Sequence, residues 1–198
     1  PEKPYPVLIL LHGSYADGEQ WIRLGVPEAA NSLIMQGEIS PLVIIMPEEI
    51  YSMVSYSEST FGDVLIEEIL PQLQAAYPIC TTRECRAIGG LSRGAVWAAR
   101  LAFLHWDVFS SAGLHSMPAT IPVLPEWVHR IPEVELPRVY MDIGDADKNW
   151  RYAKEFEEML TLLEIPHEWI FQKGDHTEAY WSAHIEEYLR WYDEGWKE

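Results

Sequence analysis

The pentapeptide Gly90-Leu91-Ser92-Arg93-Gly94 is the pattern in this chain with the most specific chemical meaning. It matches the G-x-S-x-G nucleophile elbow, in which a serine occupies a sharp turn between a buried strand and a helix. The glycines let neighbouring backbone approach without a Cβ clash, and the helix N-terminus favours an anion. We predict that Ser92 is a nucleophile. The alternative, a Gly-rich turn whose serine caps the helix, explains the flanking glycines less well.

A serine nucleophile needs a base, because its hydroxyl is weakly nucleophilic at neutral pH. For an elbow of this kind the order along the chain is serine, acid, histidine. Among the seven histidines, His176 directly follows the last predicted strand. The carboxyl ends of parallel strands converge on one crevice, which places His176 at that edge. We predict His176 as the general base; the alternative is a loop histidine that caps the last helix.

The acid that orients this histidine is expected after the fifth predicted strand, where three aspartates follow one another. Asp142 lies within the strand and is expected to be a structural partner. Asp145 falls at the tight turn, whereas Asp147 is far enough beyond it to reach a histidine on the neighbouring strand. We predict Asp147 as the acid, with Asp145 as the alternative.

The same segment imitates the opening of a calcium-binding loop, with Asp145, Asp147 and Asn149 at alternate positions. An EF-hand loop has glycine at its sixth position and glutamate at its twelfth, where this chain has Trp150 and Phe156. We therefore predict no calcium site and no other metal centre, and no cofactor is indicated.

An oxyanion hole needs two backbone N–H groups aimed at the tetrahedral intermediate. We predict one from Arg93, immediately after the nucleophile, and one from Ser14, in the turn that Gly13 allows after the first strand. His12 is expected to brace that turn. The Arg93 guanidinium has two interpretations: it orients an acidic group of the substrate, or it pairs with a carboxylate from the helix below.

The elements that must position these residues alternate along the chain. Continuous apolar runs predict buried strands at 7–11 and 42–46, and further strands are predicted at 86–91, 108–114, 138–143 and 167–171. Helical segments are predicted at 21–36, 63–77, 95–104, 150–163 and 177–196. This alternation predicts an α/β fold with a mostly parallel sheet and helices on both faces. The stretch 115–137 contains five prolines and is expected to be an irregular insertion over the sheet edge.

Composition excludes several classes of protein. Of 198 residues, 48% are hydrophobic and 23% charged, which is typical of a folded domain. No apolar run approaches the roughly 20 residues of a membrane-spanning helix. The formal net charge of −17 would repel phosphate backbones, so a nucleic-acid partner is not expected.

The two cysteines, Cys80 and Cys85, are separated by four residues. This spacing fits neither a zinc ribbon nor a thioredoxin-like motif. We predict a local disulfide, with two free thiols as the alternative. A disulfide would indicate an extracellular or periplasmic protein, whereas free thiols would leave a cytoplasmic location open.

Nine tryptophans and ten tyrosines are many for a chain of this length. They suggest a phenolic or carbohydrate substrate, with Trp21, Trp127 and Trp181 as candidate binding residues. The alternative is that these side chains pack against the sheet.

Four blocks of the sequence resemble the Putative esterase family of α/β-hydrolases. This family includes esterase D (S-formylglutathione hydrolase), feruloyl and acetylxylan esterases, enterochelin esterases and the antigen 85 mycolyltransferases. The blocks follow the family's order over essentially the whole chain and are Leu8–Gly13 with Trp21, Gly90–Gly94, Gly144–Asp147, and Gly174–His176 with Trp181.

The resemblance implies an α/β-hydrolase fold in which Ser92, Asp147 and His176 form a catalytic triad and the amides of Ser14 and Arg93 form the oxyanion hole. The chain departs from the family at Arg93, since members usually carry Met-Gly-Gly after the serine. Members also have strands before the one that ends at His-Gly. We therefore expect residues 1–198 to form a single esterase domain that lacks N-terminal edge strands.

The function predicted from these residues is a serine esterase that hydrolyses carboxylic esters through an acyl-enzyme on Ser92. The substrate is expected to be a small-molecule or polysaccharide-linked ester, with an aromatic or carbohydrate-linked acid. Three alternatives stay open: an acyltransferase of the same fold, a peptidase, and a non-catalytic binding module. The sequence gives no indication of the oligomeric state.

Overall fold

A computed structural model describes residues 4–50 and 54–197 of the protein. Its strands are β1 Val7–Leu11, β2 Val43–Ile45, β3 Arg86–Leu91, β4 Ser111–His115, β5 Arg138–Gly144 and β6 His167–Gln172. They form one parallel sheet in the order β2-β1-β3-β4-β5-β6. Every residue of β1, β3 and β4 is buried, which explains why these strands appear in the sequence as runs with little polar alternation.

The helices cover both faces of the sheet. Their bounds are α1 Gln20–Arg23, α2 Val26–Gln36, α3 Phe61–Val64, α4 Leu70–Ala76, α5 Arg93–Leu104, α6 Leu124–Val128, α7 Trp150–Leu162, α8 Glu178–Ala183 and α9 Ile185–Glu194, with one π-helical segment, Leu65–Ile69, between α3 and α4. Alternate strand residues divide between two apolar cores, one under α4, α5 and α7 and the other under α1, α2, α8 and α9. The predicted α/β architecture, with helices on both faces of a parallel sheet, is confirmed.

Two long predicted helices are each divided in two. Residues 21–36 are interrupted at Gly25, whose φ of +94° belongs to a left-handed conformation that cannot continue a right-handed helix. Residues 177–196 are interrupted at His184, which ends α8 and precedes α9.

The fourth strand begins later than predicted, at Ser111 instead of residue 108. The N–H groups of Val108 and Phe109 both donate to the His105 carbonyl, so these residues form a turn after α5. Their apolar side chains made the turn look like the start of the strand.

The proline-rich stretch 115–137 joins β4 to β5, and neither strand is at the sheet edge. Parallel neighbours require a crossover on one face of the sheet. Ile121, Leu124 and Ile131 accordingly pack into the core under α5, so the expectation of an excursion over the edge was wrong. The stretch is irregular apart from α6 and a single 3₁₀ turn, Glu133–Glu135.

The strand register brings the chemistry-bearing residues to one edge. Leu91 is paired with His115, His115 with Asp142, and Gly144 with Gln172, so β3, β4, β5 and β6 end close together. Within the described residues, no helix has the length and apolar character needed to cross a membrane.

Candidate active site

Ser92 occupies the sharp turn that the elbow motif predicts, between the end of β3 at Leu91 and the start of α5 at Arg93. Its backbone has φ 53° and ψ −117°, a conformation that residues with a Cβ rarely adopt. The Ser92 N–H donates to the His115 carbonyl at 2.8 Å, which ties the turn to the end of β4. The serine is thus held above the carboxyl edge of the sheet.

The two glycines of the motif are required by close backbone packing. A Cβ on Gly90 would lie 2.4 Å from the Gly94 carbonyl carbon, and a Cβ on Gly94 would lie 2.2 Å from the Leu11 carbonyl oxygen. These contacts let α5 begin directly against β1 and β3. The alternative of a Gly-rich turn with a capping serine is also disfavoured, because the Ser92 side chain makes no capping hydrogen bond to α5.

Ser92, His176 and Asp147 form a continuous hydrogen-bonded chain. The Ser92 Oγ lies 3.0 Å from Nε2 of His176, and Nδ1 of His176 lies 2.6 Å from Oδ2 of Asp147. Asp147 is fully buried, and its other oxygen accepts the Asn149 N–H at 2.8 Å. Because a carboxylate can only accept, the imidazole carries its proton on Nδ1 and offers the Nε2 lone pair to the serine. This arrangement can remove a proton from Ser92.

Asp145, the alternative acid, contacts the loop that carries His176 instead of the imidazole. Its Oδ1 accepts the Gly174 N–H at 3.1 Å, and the Ala146 N–H donates to the Gly174 carbonyl at 2.8 Å. Asp145 therefore helps to position the loop, while the hydrogen bond to the imidazole comes from Asp147.

The loop after β1 lies directly against the nucleophile, since a Cβ on Gly13 would be 3.6 Å from the Ser92 Cβ. Arg93 is the first residue of α5, where an N–H group has no partner within the helix. Within residues 4–50 and 54–197, the N–H groups of Arg93 and Ser14 donate to no backbone or side-chain acceptor. Both groups are thus available for an oxyanion, and their role stays a prediction.

Comparison with known families identifies the group to which this site belongs. The family described as "Putative esterase" matches residues 1–192. The chain belongs to the Putative esterase family. The resemblance predicted from the four sequence blocks is confirmed.

One relative of this chain is named for two activities. An endo-1,4-beta-xylanase/feruloyl esterase of Xylanibacter ruminicola is 25% identical over an alignment of 156 residues that covers 74% of this chain and 20% of that protein. The chain therefore spans about a fifth of the length of this relative.

Solved structures of similar fold lie below 25% identity. A ferulic acid esterase superposes with a TM-score of 0.84 at 23% identity, over 98% of this chain and 86% of that one. An S-formylglutathione hydrolase of Staphylococcus aureus superposes with a TM-score of 0.78 at 21% identity, over 96% and 82%. At these identities the likeness establishes the fold.

Arg93, the residue at which this chain departs from the family pattern, pairs with a buried carboxylate. The Glu49 carboxylate accepts hydrogen bonds from Nε and Nη2 of Arg93 at 2.7 and 2.6 Å, and both side chains are buried. The hydrogen-bonded carboxylate raises the pKa of Arg93. Of the two interpretations of this guanidinium, pairing with a carboxylate is correct, although the carboxylate comes from the loop after β2. Arg93 is therefore not free to orient a substrate.

Glu49 also contacts His12, which lies in the same turn as Ser14, the other predicted oxyanion donor. Its backbone N–H donates to Nε2 of His12 at 2.8 Å, and Nδ1 of His12 donates to the Gly13 carbonyl at 2.8 Å. His12 thus braces the turn, as predicted. Glu49 joins the loop that carries Ser14 to the residue after the nucleophile. Sequence reasoning missed it, because one glutamate among 31 acidic residues gives no signal.

We expect Glu49→Gln to lower kcat for a small ester about 10- to 100-fold while KM changes less than threefold. Glutamine removes the charge that holds Arg93, and small displacements of the Arg93 and Ser14 amides weaken stabilisation of the oxyanion. Steady-state kinetics would check this, with Glu48→Gln at the exposed neighbouring position as the control. Equal losses in the two variants, or a loss confined to KM, would contradict it.

Two of the three candidate substrate-binding tryptophans are core residues. Trp21 is 1% exposed, and its indole N–H donates to the Leu11 carbonyl at 3.0 Å. Trp181 is 4% exposed and donates to the Ser116 Oγ at 3.0 Å, with its ring edge-to-face against His176 at 5.1 Å. The prediction that these two line a substrate cleft was wrong, because neither has surface to offer. Trp181 instead supports the imidazole.

Trp127, the third candidate, is half-buried on α6 and packs against the core under α5. The Arg100 guanidinium lies 5.2 Å from its ring. A role for Trp127 in substrate binding stays a prediction.

A second histidine–aspartate pair lies buried below the site. Nδ1 of His115 donates to Oδ1 of Asp142 at 2.6 Å, and the hydroxyls of Tyr180 and Tyr188 donate to Oδ2 at 2.8 and 2.7 Å. Burial and the Asp142 carboxylate raise the pKa of Tyr188 well above its ordinary value, so its hydroxyl stays a donor. Asp142 is therefore a structural partner, as expected, and it joins β4 and β5 to α8 and α9.

Cys80 and Cys85 are joined by a disulfide that closes the loop between α4 and β3. Among residues 4–50 and 54–197, no group of three or more histidine, cysteine or acidic side chains is arranged to hold a metal ion.

Proposed function

We propose that this chain is a serine esterase that hydrolyses carboxylic esters through an acyl-enzyme on Ser92. The observation that carries the proposal is the hydrogen-bonded chain from Ser92 through His176 to Asp147, with a 3.0 Å contact between Oγ and Nε2. Membership of the Putative esterase family supports the reaction class. The chain spans about a fifth of the length of its xylanase/feruloyl esterase relative. The activity of the protein to which this chain belongs is therefore our proposal and is not taken over from that relative.

In the proposed mechanism, His176 takes the Ser92 proton as the oxygen attacks the ester carbonyl. The amides of Ser14 and Arg93 stabilise the oxyanion, and His176 then gives the proton to the departing alcohol. Asp147 stays ionised and stabilises the imidazolium. Water, activated by the same histidine, hydrolyses the acyl-enzyme and frees the acid.

For the acyl group, we propose an aromatic acid of the hydroxycinnamate type, esterified to a polysaccharide. Support comes from a relative named as an endo-1,4-beta-xylanase/feruloyl esterase and from a structural likeness to a ferulic acid esterase. The S-formylglutathione hydrolase of similar fold makes a thioester the competing substrate. The disulfide between Cys80 and Cys85 supports export to an oxidising compartment. We also propose that residues 1–198 form one esterase domain.

We expect kcat/KM for methyl ferulate to exceed that for methyl butyrate by about tenfold or more, because a bound aromatic ring buries more apolar surface. Release of ferulic acid and butyric acid, followed by chromatography, would measure this. S-formylglutathione belongs in the same panel. Hydrolysis of that thioester with little activity on either methyl ester would overturn the aromatic-ester proposal.

The acyltransferase alternative is tested in the same assay by adding glycerol or a pentose as acceptor. A hydrolase would release free ferulic acid with or without the acceptor. A feruloylated acceptor as the main product would favour the transferase.

A further inference from the structure

Four side chains line a surface groove between α7 and the edge strand β6, and they play no part in the mechanism above. They are Trp150, Lys154, Trp169 and Phe171, called here the aromatic groove, with a volume of about 180 Å³. Trp150 is 38% exposed and Phe171 50% exposed, whereas Trp169 is half-buried between them and the core. Exposed aromatic surface of this kind marks a binding site more often than scattered apolar residues do.

The aromatic groove lies on the same two elements that deliver the acid and the histidine of the site. Trp150 begins α7 immediately after the Asp147 turn, and its N–H donates to the Asp147 carbonyl at 3.1 Å. Phe171 lies at the end of β6, just before the loop that carries His176. A ligand in the groove would therefore lie beside the carboxyl edge, on the side away from β3.

The rings of the groove can contact a flat apolar face. The ring planes of Trp169 and Phe171 are 6° apart with centroids at 6.2 Å, and the Trp150 ring lies 6.1 Å from Phe171. The axial C–H groups of a pyranose form such a face, while its hydroxyls need polar partners at the rim. The Lys154 ammonium, 5.9 Å from the Trp169 ring, is a hydrogen-bond donor at that rim.

Size and charge favour a neutral sugar over other occupants. A stable protein interface buries about 800 Å² on each partner, far more than a groove with four lining residues provides. An anionic ligand is disfavoured because Lys154 already pairs with Glu157 and Glu158. The chain as a whole carries a net charge of −17.

We propose that the aromatic groove binds a neutral pyranose ring of the polysaccharide whose ester the catalytic edge hydrolyses. The inference rests on the proposed function for the identity of the ester. It adds a carbohydrate subsite outside the ester-cleaving residues.

The test uses Trp150→Ala and Phe171→Ala, whose side chains are exposed, with Tyr152→Ala as the matched control. Tyr152 is 51% exposed on the same helix but does not line the groove. For each variant, kcat/KM is measured on methyl ferulate and on feruloylated xylan. We expect both groove variants to lose about 5- to 30-fold on feruloylated xylan and less than twofold on methyl ferulate. Tyr152→Ala should match the parent on both.

A second measurement keeps this inference separate from the proposed function. The Ser92→Ala protein, with and without Trp150→Ala or Phe171→Ala, is run through gels that contain unsubstituted xylan. Retardation that the groove substitutions abolish would support the subsite even if no ester were hydrolysed.

Three results would overturn the inference: no retardation by xylan, retardation unchanged by the groove substitutions, or equal losses on methyl ferulate and feruloylated xylan. A dimer that either groove substitution converts to monomer would assign the surface to an interface between copies of this chain, and would overturn it as well.

Discussion

Replacement of Ser92 by alanine is expected to lower kcat for ester hydrolysis about 10⁵- to 10⁶-fold. The substitution removes the atom that forms the acyl-enzyme and leaves the amides of Ser14 and Arg93 in place, so a small rate above that of water should persist. The hydroxyl makes one side-chain hydrogen bond among the described residues, to His176, so the fold should be retained. Steady-state kinetics on methyl ferulate would measure the loss.

Intact mass after exposure to a fluorophosphonate provides an independent check of the same variant. The parent protein should gain one adduct and Ser92→Ala none. Ser32→Ala should behave as the parent does, because the Ser32 side chain lies on α2 and its only hydrogen-bond partner within the described residues is Gln36. An adduct that persists on Ser92→Ala would place the reactive serine elsewhere. An unlabelled but folded parent would refute the acyl-enzyme and favour a non-catalytic binding module.

Asp147→Asn is expected to lower kcat about 10⁴-fold. An asparagine amide at this position favours the wrong tautomer of His176 and does not stabilise the imidazolium that forms when Ser92 loses its proton. The Asn149 N–H donates to Oδ1, a contact that asparagine can keep, so the loss should come from the chemistry and not from unfolding. Measurement of kcat, together with the melting temperature, separates the two causes.

Asp145→Asn is the matched control for this prediction, because the two aspartates lie on the same turn. Its oxygen accepts only the Gly174 N–H among the described residues, and asparagine can accept the same hydrogen bond. We expect a loss of less than tenfold. A larger loss in Asp145→Asn than in Asp147→Asn would exchange the two assignments.

The order of the elements could be predicted from local sequence because the central strands are buried on both faces. A strand such as β1 must then be apolar throughout, and the predicted bounds of the central strands β1, β3 and β5 agree with the observed strands within one residue. The element bounds that failed are those where backbone geometry overrides side-chain pattern. The left-handed Gly25 divides one helix, and the turn closed by the His105 carbonyl delays β4.

The candidate nucleophile and base also followed from local sequence. The elbow needs glycines at positions where backbone atoms approach within 2.2 to 2.4 Å of a would-be Cβ, so Gly90 and Gly94 frame Ser92 in the sequence itself. His176 was distinguished from the other histidines by its place after the last strand. Chain order and the positions of the strand ends are sufficient to select His176, because the carboxyl ends of parallel strands lie at one edge of the sheet.

The tertiary structure alone decided which polar groups support that edge. Glu49 forms hydrogen bonds with His12 and Arg93 from a loop that is remote from both in the sequence. The Asp142 carboxylate accepts hydrogen bonds from His115 on β4 and from two tyrosine hydroxyls on α8 and α9. The aromatic groove likewise combines a helix and a strand. Residue type and local period determine whether a side chain is buried, so the sequence by itself predicted strands, helices and the elbow. A buried charge or ring finds its partner only when distant segments pack, and that choice of partner depends on the whole fold.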